Sequence, residues 1–317
     1  MYYNLNWHIT IGGYKLLLLE SAEIHLSVDL LADTAVIKLP ATNLNKKLDV
    51  ESKLKRGDKV VIEFGYGDDL VNEFEGYIQR IATDDGGITL ECEDGLWLFR
   101  KPIADKALKS ITTSDIAQYV ADQIGGITVV CDYNFTYDKF VISRATGYDV
   151  LKKLQEETKA NIYMLGNELH IHPAYIEKFG EATYDFARNI EKSDLVYKRA
   201  DERLYEIEVE GIARDGKRVS VVVGTSGGDK RSIKMYGVSN LEALKARGEE
   251  ELKRVSYDGY EGSITCWLKP VCRPGYSATI IDAEYPEKEG AYYVVAVTTS
   301  IQEAGGIRKV QLGKRLS

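Results

Sequence analysis

The sequence predicts a mainly β protein with α+β elements. Two small β-barrel domains are expected, with an α/β module between them and one long helix inserted near the second barrel. Three observations carry this. Apolar and polar residues alternate in many short runs separated by turn signals. Two internal phrases instead open amphipathic helices with capping residues. There are 21 Tyr against 7 Phe, and tyrosine suits half-buried sheets and contact surfaces.

The first expected domain is 1–98. Val60, Ile62 and Phe64 alternate with wetter positions, as do Ile88, Leu90 and Cys92 with Thr89, Glu91 and Glu93. Period two means one buried and one solvated face. Asp84-Asp85-Gly86-Gly87 reads as a hairpin turn between two such runs.

The character changes after Trp97, and 99–182 is expected to form the α/β module. Thr112-Thr113-Ser114-Asp115 is a capping-box start, followed by Ile116, Tyr119, Val120 and Ile124 at helical spacing, with Gly125 as the stop. Thr146-Gly147-Tyr148-Asp149 opens a second helix with Val150, Leu151 and Leu154 on its apolar stripe. Two short strands, Ile162–Leu165 and Glu168–His172, follow around Gly166-Asn167.

The third expected domain is 183–317. Tyr205, Ile207 and Val209 alternate with Glu206, Glu208 and Glu210, and Asp215-Gly216 turns the chain into Val219–Val223. Ser239-Asn240-Leu241-Glu242 opens the long helix, expected over about 239–255, with Glu249/Lys253 and Glu250/Arg254 as i,i+4 pairs on its wet face. Strands follow, including Tyr292–Thr298 and Arg308–Leu312.

The 317 residues are 44% hydrophobic, enough for a substantial core, and carry a formal charge of −8. An acidic chain lacks the electrostatic footprint of a general nucleic-acid binder and gains nothing from anionic membranes. Cys92, Cys131, Cys266 and Cys272 are scattered with no Cys-x-x-Cys pair, which argues against a zinc site of that type. The opening MYYNLNWHIT has no basic stretch leading into a long apolar core, so no secretory signal is expected. The longest aliphatic run, Leu16–Leu19, is too short to span a bilayer. Synthesis in the cytosol with reduced thiols is expected.

Four phrases invite chemistry. Phe64-Gly65-Tyr66-Gly67-Asp68-Asp69-Leu70 looks like a polymerase metal hairpin, yet its flanks read as consecutive strands, and Gly and Asp are turn residues. It is expected to be a barrel loop, with Tyr66, Asp68 and Asp69 as candidate interface residues. Gly224-Thr225-Ser226-Gly227-Gly228 fits a nucleophile-elbow pattern, but no helix follows and no persuasive histidine partner exists, so a hairpin tip is expected. Glu168-Leu169-His170-Ile171-His172 puts His170 and His172 on one strand face, where they could share a metal; a solvated face is the simpler reading. Gly86-Gly87 and Gly305-Gly306 lie between strands rather than before a helix, so no phosphate loop is expected. No catalytic residue and no cofactor are expected.

Several phrases, in order, resemble the baseplate hub proteins of contractile-tailed phages, the late-control D or Mu-like tail protein family related to type VI secretion spikes. They are Lys55-Arg56-Gly57-Asp58-Lys59-Val60-Val61-Ile62 with Phe74-Glu75-Gly76-Tyr77-Ile78; Ile88–Glu93 with Asp94-Gly95-Leu96-Trp97-Leu98; the capped helix at 112–125 before Ile127–Cys131; and Thr146–Leu151 through Gly166–Ile171. C-terminal matches are Arg247–Arg254, Trp267-Leu268-Lys269-Pro270, Arg273-Pro274-Gly275-Tyr276, Tyr292-Tyr293-Val294-Val295, Gly305-Gly306 and Arg308–Leu312. The resemblance covers nearly the whole chain, which is rather short for the pattern; that leaves spike docking open.

The resemblance implies a structural protein rather than an enzyme. Three copies would form a homotrimeric ring that adapts a sixfold tail tube to a threefold central spike. DNA would pass through the channel without specific binding, and no stable membrane insertion is implied. The implied location is the virion baseplate, after synthesis in the bacterial cytoplasm. Two alternatives are a metal-dependent hydrolase or cell-wall-processing enzyme using His170 and His172, and a hub or spike subunit of a secretion or related injection system.

Overall fold

The computed structural model describes residues 4–40, 50–84, 87–133, 135–173, 175–176, 180–213 and 216–316. The chain begins with β1 (Leu5–Ile11), β2 (Tyr14–Lys15), β3 (Ser21–Ser27), β4 (Thr34–Pro40), β5 (Lys59–Tyr66), β6 (Asp69–Asp84) and β7 (Gly87–Glu93). Then come β8 (Lys106–Thr112), the helix Thr113–Ile124, β9 (Thr128–Cys131), β10 (Thr136–Ile142), the helix Gly147–Thr158, β11 (Asn161–Leu165) and β12 (Glu168–His172). The last third contains β13 (Glu181–Asp185), β14 (Lys192–Ser193), β15 (Val196–Lys198), β16 (Tyr205–Ile212), β17 (Arg218–Gly224) and β18 (Asp229–Tyr236). The helix Leu241–Val255 precedes β19 (Gly259–Glu261), β20 (Ser263–Trp267), β21 (Ser277–Ile281), β22 (Gly290–Gln302) and β23 (Gly305–Arg315). The protein is mainly β with α+β elements, as the sequence predicts.

Contacts gather the chain into two compact units, each discontinuous in sequence. The first comprises Met1–Trp97, Glu177–Leu195 and Gly262–Ser317. Its strands follow the order β14-β20-β23-β22-β3-β4-β7-β6-β5-β1-β2, with β21 branching from β22 and β13 pairing with β21 in parallel. The expected barrels do not close. The path is open, and the pairing of β3 with β22 draws N- and C-terminal strands into one sheet, with Ala22 opposite Ile301 and Leu26 opposite Val297. Every second residue of β3, β4 and β5 is buried: Ala22, Ile24, Leu26; Ala35, Ile37, Leu39; Val60, Ile62, Phe64. Leu268 and Ile301 from the C-terminal part complete the same apolar cluster. Burial of this kind contributes roughly 25 cal/mol per Å² of apolar surface.

The second unit comprises Leu98–Ile176 and Val196–Glu261. β8 pairs with β10, β12 lies between β11 and β9, and β16 lies between β17 and β18. The capping phrases act as expected. Thr112 and Asp115 form a reciprocal box at the start of the helix Thr113–Ile124, and Thr146 and Asp149 do so for the helix Gly147–Thr158. The third helix is capped by a single side chain: Asn240 Oδ1 accepts from the backbone N–H groups of Glu242 and Ala243. That helix crosses β16 and β17 closely enough that a Cβ on Gly248 would stand 2.6 Å from Val223 Cγ2. Its ion pairs differ from the expected i,i+4 set. Lys253 reaches Glu250 at 3.0 Å and Arg254 reaches Glu251 at 2.7 Å, both at i,i+3, while Lys245 lies 3.8 Å from Glu249. Residues three apart are also neighbours on a helix, and the buried Glu251 draws Arg254 toward it.

The strands flanking two expected hairpin turns pair antiparallel, Asp84 with Gly87 and Ile212 with Arg218. Asp85, Gly86 and Asp215 themselves lie outside the described residues.

Candidate functional site

Phe64-Gly65-Tyr66-Gly67-Asp68-Asp69-Leu70 is a β-hairpin joining β5 to β6, with Tyr66 opposite Asp69. Gly67 takes φ +59, a left-handed turn conformation that favours glycine. At Gly65 a Cβ would stand 1.9 Å from the backbone oxygen of Asp69, so the close strand approach requires glycine too. Tyr66 is half-buried, and Asp68 and Asp69 are exposed. Asn6 Nδ2 donates to the backbone oxygen of Gly67. Asp69 accepts from Lys269 Nζ at 2.7 Å, and Arg273 donates to the backbone oxygen of Asn72. The hairpin is therefore tethered to the 269–273 segment of its own unit, and Asp69 is a paired carboxylate rather than a merely solvated one.

The Ser226 loop is not a hairpin tip. β17 runs antiparallel to β16 and β18 runs parallel to it on the opposite side. Residues 225–228 therefore pass around the start of β16 instead of reversing the chain between neighbouring strands. Thr225 N donates to Tyr205 O, and Gly227 N donates to Glu206 Oε2. The Gly227 N–H, with Lys230 beside it, holds the Glu206 carboxyl below its ordinary range. Among the described residues Ser226 has no histidine partner. His8 pairs with Glu63 at 2.9 Å and His25 with Thr298 at 3.0 Å.

His170 and His172 do come together. They sit on the central strand of the β11-β12-β9 sheet, on the face opposite the fully buried Leu169 and Ile171. His170 Nδ1 lies 3.3 Å from His172 Nε2. The outer nitrogens face carboxylates: His170 Nε2 is 3.0 Å from Glu168 Oε2, and His172 Nδ1 is 2.6 Å from Asp132 Oδ1. Tyr163, opposite His170 in β11, stacks on its ring with centroids 5.0 Å apart. Asp132 and Tyr163 escape sequence reasoning. Asp132 follows β9, and only the parallel pairing of β9 with β12 brings it to His172. Among the described residues, no group of three or more His, Cys, Asp or Glu side chains is arranged to hold a metal ion. The three-ligand centre of a metallohydrolase is not assembled among them.

The cysteines are free. Burial pushes the Cys92 and Cys266 thiols up to about 12 and the Cys272 thiol up to about 11. Thiols so poised are not nucleophiles at neutral pH. No helix among the described residues is long and apolar enough to cross a membrane.

No protein-family model and no curated protein matches the chain. Solved structures do match in fold over nearly its whole length. The tail protein from Neisseria meningitidis MC58 has a TM-score of 0.68 at 16% identity, covering 98% of this chain and 96% of that one. The 43 kDa tail protein of prophage MuSo2 from Shewanella oneidensis also scores 0.68 at 16% identity, covering 98% of both chains. The E. coli c3393 protein, a component of the type VI secretion system, scores 0.60 at 11% identity and covers 98% of this chain and 77% of that one. The chain therefore has a fold shared by a tail protein, a prophage tail protein and a type VI secretion component.

Proposed function

We propose that the protein is a structural baseplate hub of a phage or prophage contractile tail. Three copies form a ring that adapts a sixfold tail tube to a threefold spike and surrounds the ejection channel. The observation that carries this reading is the end-to-end fold likeness to two tail proteins, one of them from a prophage, each matched over 96% or more of its own length. Ring closure needs heterologous contacts, in which one surface meets a different one on the next copy. The open sheets offer such surfaces, including β18, an edge strand of the β17-β16-β18 sheet. The acidic charge suits a channel that does not retain passing DNA. The chain is made in the bacterial cytoplasm and acts in the virion.

Light scattering on the purified chain, alone and with tube or spike protein, tests this. A threefold assembly in either condition is the expected result. A symmetric dimer that persists with both partners present overturns it.

A second reading, a hub or spike subunit of a type VI or related injection system, draws on the likeness to c3393. Pull-down with tail-tube and secretion-spike partners separates the two.

A further inference from the structure

We propose that the free edge of β18 is a docking site for an acidic extended segment of a partner protein, which adds to the β17-β16-β18 sheet as a further strand. The site does not rest on the hub reading, and its occupant is not a second copy of this chain.

The register identifies the backbone groups on offer. β18 pairs with β16 in parallel from Asp229 to Tyr236 without a bulge. Asp229 N donates to Leu204 O, and Gly237 N donates to Ile212 O. Successive residues of a strand turn their backbone groups to opposite sides, so the odd-numbered residues of β18 serve β16. Lys230, Ser232, Lys234 and Tyr236 turn their N–H and C=O groups outward, where the sheet has no further strand among the described residues. All four side chains are exposed. The edge of β13, which pairs only with β21, is closed by contrast. Asn189 donates to Thr183 O and accepts from the Asp185 N–H there.

Charge defines the occupant. Lys230 and Lys234 stand on one face of β18, opposite Glu206 and Glu210 of β16. Glu206 lies 3.5 Å from Lys230, but Glu210 pairs with Arg218 at 3.2 Å. Lysines on an edge turn away ordinary strands. The same charges admit a strand that sets carboxylates opposite them, because opposite charges across a ladder attract and like charges repel. Tyr236, 64% exposed, and the half-buried Ile233 favour apolar neighbours. An antiparallel segment reading VVEVTTE meets these demands. It sets a valine beside Tyr236 and its two glutamates beside Lys234 and Lys230. Main-chain bonds then supply affinity and the alternating side chains supply specificity.

Among the described residues, the chain's own edge strands do not fit. β8 (KALKSIT), β9 (TVVC), β11 (NIYML) and β17 (RVSVVVG) carry no carboxylate, and β10 (TYDKFVI) carries one. β2, β14 and β15 are two or three residues long. β13 does carry Glu181 and Asp185 four residues apart, but its edge is the one that Asn189 closes.

The test uses the full-length chain and a fluorescein-labelled VVEVTTE peptide with glycine-serine flanks, read by fluorescence anisotropy. Saturable binding is expected, with the peptide VVKVTTK weaker by about tenfold. Lys230→Glu/Lys234→Glu should reverse that preference, which a purely structural role for the lysines would not do. Ser232→Pro removes an outward N–H and leaves the bonds to β16 in place, so it should weaken VVEVTTE by about tenfold with an unchanged circular dichroism spectrum. Bound VVEVTTE should slow amide exchange at Lys230, Ser232, Lys234 and Tyr236. If Ser232→Pro does not fold, the charge-reversed variant decides. Absence of saturable binding, equal binding of the two peptides, or unchanged binding by Ser232→Pro overturns the site. So does self-association that Ser232→Pro abolishes, because a second copy would then hold the edge.

Discussion

Arg308 in β23 and Glu73 in β6, 235 residues apart in sequence, form an ion pair at 0% and 3% side-chain exposure. Arg308 Nη1 also donates to the backbone oxygen of Cys272 at 3.2 Å. The pair links N- and C-terminal strands of the one sheet that the pairing of β3 with β22 makes continuous. Removing one member leaves the other charged and buried, which costs about 3–5 kcal/mol. Arg308→Met and Glu73→Leu should each lower the denaturation midpoint sharply. The Arg308→Met/Glu73→Leu double variant should lose less than the sum of the two, because no unpaired charge remains. Urea unfolding of all four proteins measures the coupling.

A second buried network organises the long helix. Arg247 Nε donates to the backbone oxygen of Glu157 at 2.8 Å, and its Nη2 lies 3.1 Å from Glu251 Oε2. Burial pushes the Glu251 carboxyl up, but Arg254 and Arg247 outweigh it and hold the carboxyl below its ordinary 4.5. Glu251→Leu strands the Arg247 guanidinium and should destabilise by about 3 kcal/mol or more. Thermal unfolding of the variant checks this; a change under about 1 kcal/mol would mean that the guanidinium finds water instead.

The second capping box gives a signed pH dependence. The Thr146 hydroxyl donates to Asp149 Oδ2 at 2.6 Å and the Thr146 N–H at 2.9 Å, and together they hold that carboxyl below its ordinary 3.8. A lowered folded value means that the stabilisation is fully present above pH 3.8 and is lost as pH falls through the folded value. At neutral pH Asp149→Ala should cost about 1 kcal/mol. The gap between wild type and variant should shrink as pH falls below that ordinary value. Stability curves at neutral pH and at about pH 3 read the difference; a gap that widens in acid contradicts the assignment.

The first hairpin should tolerate change. Asp68 is an exposed turn residue and Asp69 forms an exposed pair with Lys269. The Asp68→Ala/Asp69→Ala double variant should lose less than about 1 kcal/mol of stability. Its effect, if this loop meets a neighbouring subunit or the tube, should appear in assembly, read by light scattering with the partner proteins.

Local features were legible where a short stretch carries its own physics. Thr112, Asp115, Thr146 and Asp149 mark helix starts because a cap is satisfied within four residues. Gly65 and Gly67 mark a turn because a side chain would clash or strain the backbone there. Ser226 shows the boundary: its glycines announce a loop, yet a loop around the end of β16 reads the same as a hairpin tip. The difference lies in which strand β18 joins.

Periodicity and capping act within a few residues. They were enough to specify a mainly β chain, the starts of its capped helices and the shared face of His170 and His172. Three further facts came only with the folded chain: β3 meets β22 in an open sheet, Arg308 finds Glu73, and Asp132 and Tyr163 flank the histidine pair. Each of these depends on pairing between strands, mostly distant ones. Apolar alternation fixes which face of a strand is buried, but not which of many similar strands becomes its neighbour.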